Sequence, residues 1–172
     1  DVRAALDETG LTALGVNTIR GEGNGLSALP GHEAEAQAAI QQAIAYARAI
    51  GSGAVHVMAG FAEGPQADAT FVENLRFACD HAPEMTLLIE PLNHHDAPGY
   101  FLTTSAQARD VIERVDRTGI SVPERGAPDA GELSYDHVFA EIARLGWEMP
   151  LGAEYKPDGD TDATLGWMAR YR

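Results

Sequence analysis

The chain has 172 residues, with 12 Lys and Arg against 26 Asp and Glu, so its net charge is −14, and 45% of its residues are apolar. This composition is typical of a soluble globular domain, and the excess negative charge argues against binding to nucleic acid or to an anionic membrane. No apolar run approaches the ~20 residues of a membrane span, and the single cysteine, Cys79, excludes an internal disulfide and weakly favours a cytoplasmic location.

Short apolar strands alternate with amphipathic helices along the chain. Residues 2–6 resemble the inside of a helix, and the pattern predicts strands at Leu11–Val16, Ala54–Met58, Thr86–Ile89, weakly near Ile120–Val122, and at Pro150–Glu154. Helices are predicted at Glu33–Ile50, from a cap at Asp68 or Thr70 to just before Pro83, at Ser105–Val115, at Ser134–Leu145, and as a turn or two within Asp162–Tyr171. Because no hairpin turn joins two strands, this order predicts a parallel α/β sheet covered by helices.

Two architectures fit a parallel sheet of this kind, an open doubly wound sheet and a (β/α)8 TIM barrel. The strand centres at Val57 and Leu88 are 31 residues apart, the size of one βα unit, and no Gly-x-Gly-x-x-Gly follows any strand. These features favour the barrel, which needs ~250 residues when complete. We therefore expect one incomplete barrel domain over residues 1–172, with a natural amino terminus upstream of Asp1.

Two glutamates, Glu90 and Glu154, each stand where an apolar strand ends. In a parallel barrel both carboxylates would lie on the carboxyl-terminal face, where such enzymes place their active sites. One glutamate at such a position is as often paired with a nearby Arg or Lys, but two at equivalent positions favour a function. Carboxylate oxygens suit Mg²⁺ or Mn²⁺, and two glutamates beside a substrate can also exchange protons with it.

Other polar residues are less specific. His56 lies in an apolar strand, where a histidine is more often a hydrogen-bonded core residue, and the loop from Asn93 to Asp96 is more often simply exposed. Arg125 lies in a Pro/Gly loop and has the shape to bind a substrate carboxylate, although most loop arginines are solvated. Lys156, two residues after Glu154, either faces the same side of the strand or stabilises that glutamate.

Six segments in sequence order resemble the hydroxypyruvate isomerase family, and the resemblance covers nearly the whole chain. They are Val55–Gly60, Phe71–Arg76, Leu87–Asn93, Asp96–Leu102, Gly131–Leu133 and Glu154–Pro157. The resemblance implies a xylose-isomerase-like (β/α)8 barrel. It further implies an intramolecular oxidoreductase of the aldose-ketose type that interconverts hydroxypyruvate and tartronate semialdehyde in glyoxylate metabolism.

The resemblance also implies site residues. Glu90 and Glu154 match the glutamates that the family uses as catalytic acid and base and as ligands of a divalent metal, Mg²⁺ or Mn²⁺. Arg125 matches the family's Val-Pro-x-Arg-Gly loop and would hold the substrate carboxylate, while His56 matches a pocket-facing histidine. We assign Asn93 and Lys156 to substrate binding as well. An enediolate mechanism needs such a pair of carboxylates, one removing a proton and one delivering it to the next carbon.

The chain departs from the family pattern in what it lacks. The family has one and a half to two βα units before this start, and a strand, a helix and a strand between residues 117–119 and 120–122, which supply two of the four metal ligands. Either the printed sequence leaves out segments of a longer protein, or the protein is shortened. Phe61 and His95 stand where the family commonly has a lysine and an arginine. The alternatives are therefore a 2-oxo-tetronate isomerase, a related sugar epimerase, or a truncated barrel without activity. The expected partner is a small hydroxy-oxo acid, and a homo-oligomer is left open.

Overall fold

The structure is a computed structural model that describes residues 1–21, 23–116, 120–121, 135–144, 146, 160 and 165–170. The chain divides into two compact units, Asp1–Pro123 and Glu124–Arg172. Each unit is described by itself, and a single domain over residues 1–172 stays a prediction.

The first unit alternates helices and strands. Its elements in chain order are α1 (Val2–Thr9), β1 (Val16–Asn17), α2 (Glu33–Ile50), β2 (Ala54–His56), α3 (Gly64–His81), β3 (Thr86–Leu88), α4 (Ser105–Val115) and β4 (Ile120–Ser121). In the second unit the described elements are α5 (Tyr135–Arg144) and a 3-10 helix at Leu165–Arg170. The predicted strand at Pro150–Glu154 lies outside the described residues.

The four described strands form one sheet in the order β1-β2-β3-β4, and every neighbouring pair is parallel. A helix follows each of the first three strands, so the described strands share one direction and their carboxyl ends share one edge. In this register His56 lies between Asn17 on one side and Leu88 on the other. The predicted parallel α/β sheet is confirmed, and the carboxyl edge of β2 and β3 is where the first candidate side chains meet.

The core lies between the sheet and the helices. Val55 and Leu87 are buried on the strands, and on α3 Phe71 and Leu75 are fully buried against them as part of the same apolar cluster. Burying side chains of this size contributes about 1.5–3 kcal/mol each. Because side chains alternate along a strand, Val55 and Leu87 take one face, and their neighbours His56 and Leu88 take the opposite face.

Two predicted elements differ in the structure. The predicted strand at Leu11–Val16 is regular only from Val16, and Leu11 and Leu14 are 67% and 47% exposed. An apolar run that is not buried gains little from pairing as a strand, since β-propensity depends on packing. The third helix begins at Gly64 rather than at Asp68 or Thr70. Pro in its first turn favours this earlier start, because the missing N–H costs nothing there.

Two of the opening expectations concern membranes and redox state. No helix within the described ranges is long and apolar enough to cross a membrane. Cys79 is buried on α3. A cytoplasmic location stays a prediction.

Candidate active site

Glu90 lies two residues beyond β3, at the carboxyl edge of the sheet. Its neighbour Ile89 is fully buried in the core, so the strand alternation turns Glu90 to the face that Leu88 also occupies. The glutamate is nevertheless only 4% exposed. Burying a carboxylate in this way is costly unless other groups interact with it, which is why such residues are candidates for function.

His56 is the final residue of β2, and the strand register brings it to Glu90. Its side chain is 12% exposed, and its Nε2 lies 4.0 Å from Oε2 of the glutamate. This distance is longer than a hydrogen bond and within the range of an ion pair. An imidazole and a carboxylate at this separation provide two groups able to give or take a proton from one bound molecule. The structure therefore brings together two of the six predicted site residues.

The side chain of Asn93 forms hydrogen bonds within its own loop. It lies in an exposed loop, and its Oδ1 accepts hydrogen bonds at 3.0 Å from the backbone N–H groups of His95 and Asp96. Its Nδ2 donates to the carboxylate of Asp96 at 2.6 Å. These bonds form a turn of the kind that asparagine favours. The side chain shapes its own loop, and its role toward substrate stays a prediction.

The other predicted site residues, Glu154, Arg125 and Lys156, lie outside the described residues, and their roles stay predictions. Among the residues that the structure does describe, no group of three or more His, Cys, Asp or Glu side chains is arranged to hold a metal ion. A buried carboxylate oxygen is a donor that Mg²⁺ and Mn²⁺ prefer, so Glu90 fits as one ligand. Metal binding by Glu90 and Glu154 stays a prediction.

The loop after β1, residues 18–32 (the first loop), packs against the segment that follows His56. The N–H of Ser27 donates to the carbonyl of Met58 at 3.3 Å, and the N–H of Ala28 donates to that of Ala59 at 2.7 Å. The hydroxyl of Thr18 accepts the N–H of Met58 at 3.1 Å. The first loop and the end of β2 thus form a continuous seam beside the site.

The loop after β3 returns to the same segment from the other side. The N–H of Phe101 donates to the carbonyl of Gly60 at 2.9 Å, and the hydroxyl of Tyr100 accepts the N–H of Ala59 at 2.9 Å. The ring of Phe61 meets that of Tyr100 edge-on, with centroids 6.2 Å apart. Three successive loops are therefore joined at the carboxyl edge of the sheet.

Sequence reasoning missed the residues that join these loops. Gly25 has a φ of +108°, and a Cβ placed there would lie 2.2 Å from the carbonyl oxygen of Met58. Tyr100 lies within the segment Asp96–Leu102, and no sequence pattern there indicates its contact with Ala59. A glycine directly after an apolar strand, as at Gly60, was the available signal, because such glycines often mark a close approach of two backbones.

The chain is similar to known proteins over nearly its whole length. The family model for the xylose isomerase-like TIM barrel matches residues 1–123. A 2-oxo-tetronate isomerase from Cupriavidus necator is 36% identical over 99% of this chain and 82% of its own length. A hydroxypyruvate isomerase from Escherichia coli is 33% identical over 86% of this chain and 72% of its own length. A crystal structure described as an AP endonuclease of family 2 from Brucella melitensis superposes with a TM-score of 0.90 at 30% identity, covering 100% of this chain and 84% of that one.

The alignment with the Cupriavidus necator protein also bears on the missing segments. It runs over 214 positions, more than the 172 residues of this chain, so that relative has residues without a counterpart here. The predicted gap near residues 117–122 stays a prediction. The parallel sheet, the matching family model and the extent of the similarity agree: the chain belongs to the xylose isomerase-like TIM barrel family.

Proposed function

We propose that this isomerase acts on short hydroxy-oxo acids, and that its substrate is hydroxypyruvate, which it interconverts with tartronate semialdehyde. The observation that carries the proposal is the buried carboxylate of Glu90 at the carboxyl edge, with His56 at 4.0 Å, in a chain that matches named isomerases over nearly its whole length. The carboxyl-terminal face is where enzymes of this fold carry out their chemistry.

The proposed reaction moves the carbonyl group from C2 to C3 of the acid. One carboxylate removes a proton from C3, and the C–H electron pair forms the C2–C3 double bond of an enediolate. A proton is then delivered to C2, the hydroxyl proton passes from the C3 oxygen to the C2 oxygen, and the carbonyl group forms at C3, so no oxidant or reductant is consumed. We assign this proton transfer to Glu90 and Glu154, since a carboxylate at each of the two carbons is what the reaction requires.

The remaining predicted residues have binding roles in this proposal. Arg125 holds the substrate carboxylate, and His56, Asn93 and Lys156 contact its oxygens, with the imidazole of His56 4.0 Å from the carboxylate of Glu90. A divalent cation, Mg²⁺ or Mn²⁺, bound by Glu90 and Glu154 would supply positive charge that stabilises the enediolate oxygens. Partners other than a small acid, a homo-oligomer among them, stay predictions.

A four-carbon 2-oxo acid is the second candidate substrate. The relative named 2-oxo-tetronate isomerase is 36% identical over 99% of this chain, a greater match than the 33% over 86% of the hydroxypyruvate isomerase. Both substrates are short 2-oxo acids, so the same carboxylate chemistry serves either. The two substrates differ in the number of carbon atoms beyond C3.

Cleavage of nucleic acid is disfavoured, although one similar structure is described as an endonuclease. The chain carries a net charge of −14, and binding a phosphate backbone depends on clustered Lys and Arg. The loops that follow β1, β2 and β3 contain one Arg and no Lys among their described residues. This edge suits one small anion better than a polyanion.

The test is a substrate series measured with the purified protein and added Mg²⁺ or Mn²⁺. Hydroxypyruvate, 2-oxo-tetronate and a neutral ketose are compared by kcat/KM, with product identified by mass spectrometry. We expect turnover of the acids and at least a tenfold lower kcat/KM for the ketose, because the lost charge contact amounts to ~1.4 kcal/mol or more. A folded protein that converts neither acid with either metal contradicts the proposal.

A further inference from the structure

Asn74, in the middle of α3, is a fully buried polar side chain whose role the proposed function does not explain. It is 0% exposed, and its Nδ2 donates to the carbonyl of Ser27 at 2.9 Å. Its Oδ1 accepts a hydrogen bond from Nε2 of Gln37, on α2, at 3.4 Å. A buried amide is costly unless it is hydrogen-bonded, so this one is specified by its partners. It joins α2, α3 and the first loop.

The bond to Ser27 acts where the first loop meets the site. The N–H of Ser27 itself donates to Met58, two residues beyond His56. Asn74 thus anchors the first loop at Ser27, the residue that contacts the segment after β2. Glu33, at the start of α2, contacts the end of the same loop, since its carboxylate accepts the N–H of Gly31 at 3.0 Å and the hydroxyl of Thr70 on α3 at 3.4 Å.

The first loop carries a positive charge at this edge. Arg20 is the one Arg or Lys among the described residues of the loops after β1, β2 and β3. Its Nε donates to the side chain of Asn24, and its carbonyl accepts the N–H of Gly25 at 2.9 Å, so the turn from Arg20 to Gly25 is closed on itself. In a chain with a net charge of −14, this guanidinium attracts a carboxylate that the surrounding surface repels.

We propose that Asn74 is a positioning residue, which holds the first loop on the end of β2 and thereby sets Arg20 as a second positive charge for the carboxylate of the substrate, in addition to the Arg125 contact of the proposed function. The part of this inference that concerns substrate rests on the proposed function. The part that concerns the loop does not, and it is tested separately by proteolysis, since trypsin cleaves after Arg20.

The first experiment compares Asn74→Leu, which has similar volume and no amide, with Val111→Ala as the control. Val111 is a fully buried residue of α4, so its truncation lowers stability without touching the first loop. We expect trypsin to cut between Arg20 and Gly21 roughly tenfold faster in the Asn74 variant, and at an unchanged rate in the control after correction for thermal stability. Equal rates in wild type and the Asn74 variant overturn the proposal.

The second experiment measures kinetics with the acid that the wild-type protein converts. We expect Asn74→Leu to raise KM several-fold with kcat little changed, because Glu90 lies beyond β3 and not on the first loop. Arg20→Gln should raise KM by a similar factor. The double variant should have a KM no higher than that of the single variant with the larger effect, because both changes remove the same contact. Additive effects, or a fall in kcat with KM unchanged, contradict a positioning role.

Two further outcomes are covered by the same design. If Asn74→Leu does not fold, Gln37→Leu removes the partner that orients the amide and should raise both the trypsin rate and KM in the same direction. If the wild-type protein converts no acid, the proposed function fails, while the trypsin comparison still decides whether Asn74 holds the loop.

Discussion

Replacing Gly60 with alanine is expected to break the seam between the loops at the carboxyl edge. Gly60 has a φ of +93°, a conformation that side-chain-bearing residues rarely adopt. The added Cβ would lie 2.3 Å from the carbonyl oxygen of Gly25 and 2.6 Å from Cδ1 of Leu29. Because the nearer atom belongs to the backbone, a side-chain rotation cannot relieve the contact. The two loops must separate.

The magnitude follows from two contributions. The positive φ costs about 1–3 kcal/mol for a residue with a Cβ. Separating the loops weakens the hydrogen bonds from Ser27 to Met58 and from Ala28 to Ala59, at about 1 kcal/mol each. We therefore expect Gly60→Ala to lower the free energy of unfolding by about 3–5 kcal/mol. In a chain of this size that corresponds to a fall in Tm of about 10 °C.

Thermal unfolding followed by circular dichroism measures the effect, and two other glycines separate its causes. Gly10 has a φ of +68° with nothing within 4 Å of an added Cβ, so Gly10→Ala measures the conformational cost alone, about 1–2 kcal/mol. Gly53 has neither a positive φ nor a close neighbour, so Gly53→Ala should be near neutral. If Gly60→Ala costs no more than Gly10→Ala, the close contact with Gly25 is refuted.

Two further predictions concern local contacts. The pKa of Glu33 is held below its ordinary value of 4.5, mainly by the N–H of Gly31, so its carboxylate stabilises the fold above that pH and the contribution is lost as the pH falls. The Tm difference between wild type and Glu33→Gln should therefore shrink between pH 7 and pH 3, and a difference that grows on acidification contradicts this. The hydroxyl of Thr104 accepts the N–H of Gln107 at 3.1 Å at the start of α4, so Thr104→Ala should cost about 1 kcal/mol in urea unfolding. Ser105→Ala is the matched control, and an equal loss in both variants counts against the cap.

The helices show what one sequence can predict. Helix α2 has the predicted bounds, because Ile40 and Ile44 recur at helical spacing and Gly51 ends the helix with a φ of +77°. These are local signals, carried by residues within one or two turns of each other. The predicted strand at Leu11–Val16 fails for the opposite reason. Whether an apolar run pairs as a strand depends on a distant partner, and only Val16 finds one, in Val55.

In the candidate site, too, features set by local patterns are predictable from the sequence, and contacts between distant residues are not. The position of Glu90 at the end of an apolar strand is a local pattern, so the sequence predicts it. The approach of His56 follows from the register of β2 and β3, which no local signal specifies. The anchoring of Ser27 by Asn74 joins residues 47 positions apart and is not visible in the sequence. Glu154 lies outside the described residues, so the proposed pair of glutamates stays a prediction.

The central claim is that Glu90 transfers a proton between adjacent carbons of a short 2-oxo acid. The most direct measurement is the conversion of hydroxypyruvate, or of 2-oxo-tetronate, in D₂O with Mg²⁺, followed by NMR for wild type and Glu90→Gln. We expect the wild-type protein to form a product that carries deuterium at the carbon receiving the proton. The variant should be slower by about 10²–10⁴-fold with an unchanged circular dichroism spectrum. Conversion by the variant at the wild-type rate, or no conversion of either acid by the folded wild-type protein, would contradict the account.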